Sequence, residues 1–307
     1  MVTRQDYNKK MVEAARSVML ELAHILGEYR DSIAIVGGWV PPLILPEAKE
    51  PHVGSTDVDI ALDHKIIQEP GYERIRRKLE KRGYRQDDDQ PYIFYREVSR
   101  DGETIKVKVD LLAGEYEGTG RSRRHQKIQD VRARKARGCD LVFSIADGEE
   151  IIISGIRPDG YQDSVRIKVA GVVSFLVMKG MALADREKEK DAYDIYFVLK
   201  NYPGGIDRLV DKFIPHASNR LVREGLEKIA EKFASPQHIG PGFLADFEAE
   251  TDPGERELLR RDAFEQVNSF LRKLGIISDE IENNSGSGIQ SSRERAGDQN
   301  QAHNKRQ

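Results

Sequence analysis

The sequence predicts an α+β fold, a mixed β-sheet with flanking helices followed by a helical C-terminal region. Two observations carry that reading. Short β-branched or apolar runs bounded by Gly, Asp or Pro recur through the first half, as in Ile33–Val36, Ser55–Leu62 and Ile105–Leu112. From Val169 onward, apolar residues recur at helical spacing instead. The expected organisation is a sheet-bearing core over residues 1–165, a helical region over 166–282, and a tail over 283–307 with almost no apolar content. Such a tail offers too little apolar surface to offset the entropy of ordering, so disorder is expected there.

Each element has its own sequence reason. Met11, Ala14, Ala15, Val18, Met19, Leu22, Ile25 and Leu26 make one apolar stripe, so residues 5–29 read as an amphipathic helix lying on the sheet. Ile33–Val36 is a strand closed by Gly37-Gly38, and the Pro-rich stretch 40–54 reads as a loop. Pro70 to Arg82 reads as a helix ending near Gly83. Tyr92–Val98 and Ile105–Leu112 read as strands joined through Asp101-Gly102, and Leu141–Ile145 with Ile151–Ile156 as a second hairpin through Asp147-Gly148. Val169–Asp185 is apolar enough to be a buried helix. Asp191–Lys200 is a second helix, stopped by Pro203-Gly204-Gly205.

The chemistry concentrates in three carboxylates and a diglycine. Asp57 and Asp59 alternate with Val58 on one strand, so both side chains leave the same face. Two carboxylates on one face of a short apolar strand are costly unless a cation lies between them. Asp110, near the end of the strand Thr104–Leu112, supplies a third. Three acids on adjacent strands suit two Mg²⁺ ions, one activating an attacking hydroxyl and one holding a triphosphate and its leaving pyrophosphate. Gly37-Gly38 lets backbone N–H groups approach phosphates without Cβ interference. Lys179, in an otherwise apolar helix, reads as a phosphate contact, and Arg186 lies seven residues on, near the same face. Asp191 and Asp194, three apart, are neighbours on the following helix, and Asp194 reads as a hydrogen-bond partner of Lys179 or Arg186. His52 lies near the Asp-x-Asp strand and reads as a loop residue, because the histidines show no metal-ligand spacing.

Taken in order, Gly37-Gly38, Asp57-Val58-Asp59, and the strand Asp110 resemble the DNA polymerase β-like nucleotidyltransferase superfamily. Lys179 to Arg186, followed by Lys190-Asp191-Ala192-Tyr193-Asp194, resembles the helical segment of its AbiEii toxin-type branch. Trp39 and Pro41-Pro42 depart from the small and aliphatic residues expected after the diglycine. The resemblance spans roughly residues 30–200 and implies a nucleotidyltransferase-type fold. It implies transfer of a nucleotide from an NTP to an acceptor hydroxyl, with Asp57, Asp59 and Asp110 as metal ligands. Lys179 and Asp194 would be catalytic with them, and Gly37, Gly38, Thr56, Lys179, Arg186 and Asp191 would hold the nucleotide. The branch further implies a toxin of a toxin–antitoxin or phage-defence pair, with tRNA or another RNA as acceptor and a cognate antitoxin as partner. A small-molecule nucleotidyltransferase and a non-catalytic nucleotide-binding relic are the alternatives.

The bulk composition constrains the partners. The chain has 307 residues, 38% hydrophobic and 33% charged, with a net charge of −3 and an isoelectric point near 6.2. A protein coated in nucleic acid is usually basic, so any RNA contact must be local. One local excess exists: Arg121, Arg123, Arg124, Lys127, Arg132, Arg134, Lys135 and Arg137 against a single acid, Asp130. Cys139 is the only cysteine, which excludes an internal disulfide and fits a reducing cytoplasm. No signal peptide is expected from Met1–Lys10, and the longest apolar run, Val169–Met178, is too short to span a membrane.

Overall fold

Asn8 starts the first helix by accepting a hydrogen bond from the Met11 amide at 3.0 Å. That helix, α1 (Lys9–Ile25), buries Ala14, Ala15, Val18, Met19 and Leu22, the stripe read from the sequence. In this computed structural model the described residues are 1–63, 74–114, 131–145 and 147–278, with the backbone alone of 125–128. They form α+β architecture with a mixed sheet. After α1 come β1 (Ile33–Val36), α2 (Val40–Ile44), β2 (Asp57–Leu62), α3 (Ile75–Lys81), β3 (Arg85–Gln86), β4 (Ile93–Arg100) and β5 (Glu103–Ala113). Then follow β6 (His125–Ile128), β7 (Val131–Lys135), α4 (Leu141–Ser144), β8 (Glu149–Ile156) and β9 (Gln162–Val169). The remaining helices are α5 (Val172–Arg186), α6 (Glu189–Asn201), α7 (Gly205–Phe213), α8 (Arg220–Lys232), α9 (Ile239–Phe247) and α10 (Pro253–Lys273).

The sheet runs β3-β4-β5-β2-β1-β9-β8, with β7 joining β5 and β6 joining β7. Two pairings decide where the chemistry sits. β1 and β2 are antiparallel, placing Val36 opposite Asp59 and so delivering Gly37 beside that carboxylate. β2 and β5 are parallel, with Asp57 opposite Lys108 and Asp59 opposite Asp110. Val58 and Ile60 point the other way and are fully buried, as strand alternation requires.

The helices from α5 onward pack on one another. Gly180 and Gly225 bring α5 and α8 close together, since a Cβ on Gly180 would lie 2.2 Å from the Gly225 carbonyl oxygen. Phe213 and Phe270 join α7 to α10 edge to face, with centroids 5.1 Å apart. Residues Met1–Ile277 cluster as one compact unit.

Several elements differ from the sequence reading: β7 lies within the basic run, and β9 reaches Val169, where the buried helix was expected to begin, so that helix starts at Val172. Leu141–Ser144 is a short helix, and β8 pairs with β9 rather than with that segment. The reason lies in Asp147: its carboxylate accepts from the Ser174 amide and hydroxyl at 2.9 and 2.7 Å, capping α5 instead of making a hairpin turn. The stretch after the diglycine begins as a helix, because Pro41 and Pro42 fall in the first turn of α2, where their missing N–H groups are not needed. The start of the helix read from Pro70, Arg121, Arg123 and Arg124 of the basic run, and the tail 283–307 lie outside the described residues. Among the described residues no helix is long and apolar enough to cross a membrane.

Candidate functional site

Asp57 is anchored before it does any chemistry. The Ser55 hydroxyl donates to its Oδ1 at 2.7 Å, and the Trp39 indole N–H donates to its backbone oxygen at 2.9 Å. Trp39, the residue out of place in the sequence pattern, thus ties the diglycine turn to β2. Thr56 lies half-buried between these anchored neighbours.

Lys108 Nζ lies 3.4 Å from Asp57 Oδ2 and 3.9 Å from Asp110 Oδ2, so both carboxylates face one cation. Arg134 Nη2, from β7, reaches Asp110 Oδ2 at 2.9 Å. Asp59 stands beside Asp110 in the strand register, and its Oδ2 faces Gly37. The three titrations differ in ways their surroundings explain. Burial pushes Asp57 up, but the charge of Lys108 and the Ser55 hydrogen bond outweigh it and hold Asp57 below the usual carboxylate range. Burial, then the charges of Asp57 and Asp110, push Asp59 up to about 7. Burial raises Asp110 despite Arg134 and Lys108.

The donor set fits a hard divalent cation. All three groups are oxygen donors, Asp110 Oδ1 is buried without a hydrogen-bond partner, and Asp59 is short of positive charge. Among the described residues, no group of three or more His, Cys, Asp or Glu side chains is already drawn together as a metal cage. Lys108 and Arg134 answer the carboxylates instead.

Gly37 has φ +68°, and a Cβ there would lie 2.1 Å from Asp59 Oδ2. Gly38 is similarly tight against the Ser55 hydroxyl. Gly37→Ala is expected to lose roughly 2–4 kcal/mol, from left-handed strain together with overpacking. Gly102→Ala at the open β4–β5 turn has φ +79° and no neighbouring atom, so it should lose only the conformational part. Parallel urea melts separate the two; equal losses would mean the Asp59 contact is immaterial.

A second, cationic cluster lies where α5 meets α6. Lys179 Nζ touches Asp191 Oδ1 at 2.7 Å and Asp194 Oδ2 at 2.6 Å. Arg186 grips Asp191 with two nitrogens at 2.7 and 2.8 Å. Lys190 and the His52 Nε2, at 2.8 Å, share Asp194 Oδ1. Burial disfavours the Lys179 charge, but Asp191 and Asp194 more than reverse that and raise it. Burial wins at Lys190, which is lowered. The carboxylates of Asp191 and Asp194 are held below the usual range by these cations, against burial.

His52 is a completely buried partner of Asp194 rather than a loop residue. Its Nδ1 accepts from the Gly54 amide at 3.0 Å, so Nε2 carries the proton it donates to Asp194 and the ring is neutral. Burial and the Lys190 charge lower it to about 4. Because the unfolded histidine protonates near its ordinary value of 6.5 and the folded one does not, stability should fall as pH drops from about 6.5 to 4, by up to about 3 kcal/mol. Chemical melts of wild type and His52→Gln across that window check this; equally steep profiles would remove His52 as the source.

The two clusters meet at a cleft of about 200 Å³ lined by Gly37, Arg134, Lys179 and Arg186 on its polar side, with Val40, Phe175, Met178 and Met181 on its apolar side. Both clusters reach it through their neighbours: Gly37 faces Asp59, Arg134 touches Asp110, and Lys179 touches Asp191 and Asp194. Lys108 was not read from the sequence as a site residue, His52 was read as a loop residue, Arg134 was read only within the basic run and Lys190 only within the resembling helical segment. Lys108 had a signal, since Lys108-x-Asp110 shares a strand face. His52 had none, being 142 residues from Asp194. Compared with protein-family models, with curated proteins and with solved structures, the chain matches none.

Proposed function

We propose that this chain is a metal-dependent nucleotidyltransferase. The observation that carries the reading is the placement of Asp57, Asp59 and Asp110 in register on β2 and β5, beside Gly37 and a cleft lined by Arg134, Lys179 and Arg186. Asp57, Asp59 and Asp110 would hold Mg²⁺, which when bound neutralises phosphate charge and acidifies an acceptor hydroxyl. The chain's own residues do the rest. The Gly37 turn leaves backbone free to approach phosphates. Lys179 has three N–H donors; one is on Asp191, and Asp194 Oδ2 lies 2.6 Å away as an ion-pair partner, which leaves a donor for a phosphate oxygen in the cleft. Asp191 and Asp194 fix that ammonium in place. The apolar wall at Val40, Phe175 and Met181 offers a dry surface to a base.

The acceptor we assign is RNA, within a toxin-like role that rests on the resemblance of Lys179–Asp194 to the AbiEii-type branch. The basic run supports it locally: β7 pairs with β5 just beyond Asp110, with Leu112 opposite Arg134 and Ala113 opposite Lys135. The test is incubation with each α-labelled NTP, Mg²⁺ and either total RNA or purified protein. Label in RNA is expected; no label in any pool sinks the proposal. Arg121→Ala, Arg123→Ala and Arg124→Ala combined should weaken RNA labelling and lower its salt slope by about one unit per lost phosphate contact, with NTP affinity unchanged. An unaltered slope would remove the basic run from acceptor binding.

A further inference from the structure

The carboxylate cluster already contains a cation of its own. Lys108 lies on β5 two residues before Asp110, so the two side chains leave the same face of the strand. Across the parallel pair its partner is Asp57, and its ammonium sits 3.4 Å from Asp57 and 3.9 Å from Asp110.

Lys108 and Arg134 hold the cluster differently. Arg134 makes one close contact, 2.9 Å, to Asp110. Lys108 is shared between two acids at longer distances, is 36% exposed, and has a flexible four-carbon stem. It can therefore swing into solvent without leaving its strand. Asp110 cannot follow: its side chain is 4% exposed, and its Oδ1 already lacks a hydrogen-bond partner.

We propose that Lys108 is a resident counter-ion of the Asp57–Asp59–Asp110 cluster, which a divalent cation must displace to enter. The inference rests on the metal reading above. It makes Lys108 a positioning residue: it keeps the acids together in the metal-free chain and weakens the binding of metal alone. Removing its charge should strengthen metal binding and make the fold depend on metal.

The test titrates Mn²⁺ alone into wild type, Lys108→Met and Lys106→Met, reading the free ion by electron paramagnetic resonance. Lys106 is an exposed residue on the same strand that stacks on Tyr95, so it controls for charge without carboxylate contact. Lys108→Met should bind Mn²⁺ at least tenfold tighter than wild type, and Lys106→Met within about twofold. Its melting temperature should rise with Mn²⁺ more than that of wild type. A second arm needs no variant: brief acetylation of wild type, read by mass spectrometry, should label Lys108 several-fold faster with saturating Mn²⁺, and Lys106 equally with and without it. Unchanged Mn²⁺ affinity in Lys108→Met, an equal gain in Lys106→Met, or unchanged Lys108 labelling overturns the inference. Tighter Mn²⁺ binding without any NTP labelling would keep Lys108 as counter-ion and sink the transferase reading alone. No Mn²⁺ binding by either wild type or Lys108→Met overturns both.

Discussion

Asp59→Asn is expected to abolish the proposed nucleotide transfer, by about 10³-fold or more, while making the metal-free protein more stable at pH 8. The two effects have one cause. Asp59 is half-buried next to Asp57 and Asp110, and its carboxyl is pushed up to about 7. An acid whose folded pKa is raised stabilises nothing at high pH. The unfolded chain ionises it freely above its ordinary value, near 4, while the folded chain resists ionisation until about 7. Folding is therefore penalised progressively across that window, and asparagine cannot ionise. A gain of about 1–3 kcal/mol at pH 8, shrinking to nothing below pH 4, is expected in melts with a chelator present. Loss of transfer with no stability gain would mean that Asp59 is not crowded by its neighbours. Full retention of transfer would remove it from the chemistry.

Asp194→Asn should produce the largest loss of stability. Asp194 is fully buried and answers Lys179, Lys190 and the His52 N–H. Removing its charge leaves two buried ammonium groups with too few partners, which costs about 3–5 kcal/mol. For a chain of this size that is a melting-temperature drop of roughly 5–9 °C. Asp194→Asn with Lys190→Met should recover part of the loss, because an excess cation leaves with the acid. Asp191→Asn should cost less, since one of its two cations, Arg186, is 41% exposed and can turn to water. The sign with pH is opposite to that of Asp59. The Asp194 carboxyl is held below the usual range, so its contribution is complete above about pH 4 and is lost as pH falls through the folded value. Equal losses for Asp191→Asn and Asp194→Asn would argue against this ranking.

The local elements of this protein were legible in its sequence because their causes are local. The α1 stripe, the β1, β2 and β5 runs and the apolar α5 helix each follow from periodicity and β-branching. Asp57 and Asp59 had to share a face because strand side chains alternate. Leu141–Ser144 was misread because a short apolar run has no period long enough to separate helix from strand. What only the tertiary structure decided is which charges answer one another. Strand order placed Lys108 opposite Asp57 and Arg134 on Asp110. The packing of the 40–54 segment against α6 carried His52 to Asp194. Lys179 read as a phosphate contact with Asp194 as a partner of it or of Arg186, and the fold clamps it between Asp191 and Asp194 both. Such pairings are set by which distant surfaces are buried together, and a buried charge takes whatever partner the fold brings within reach.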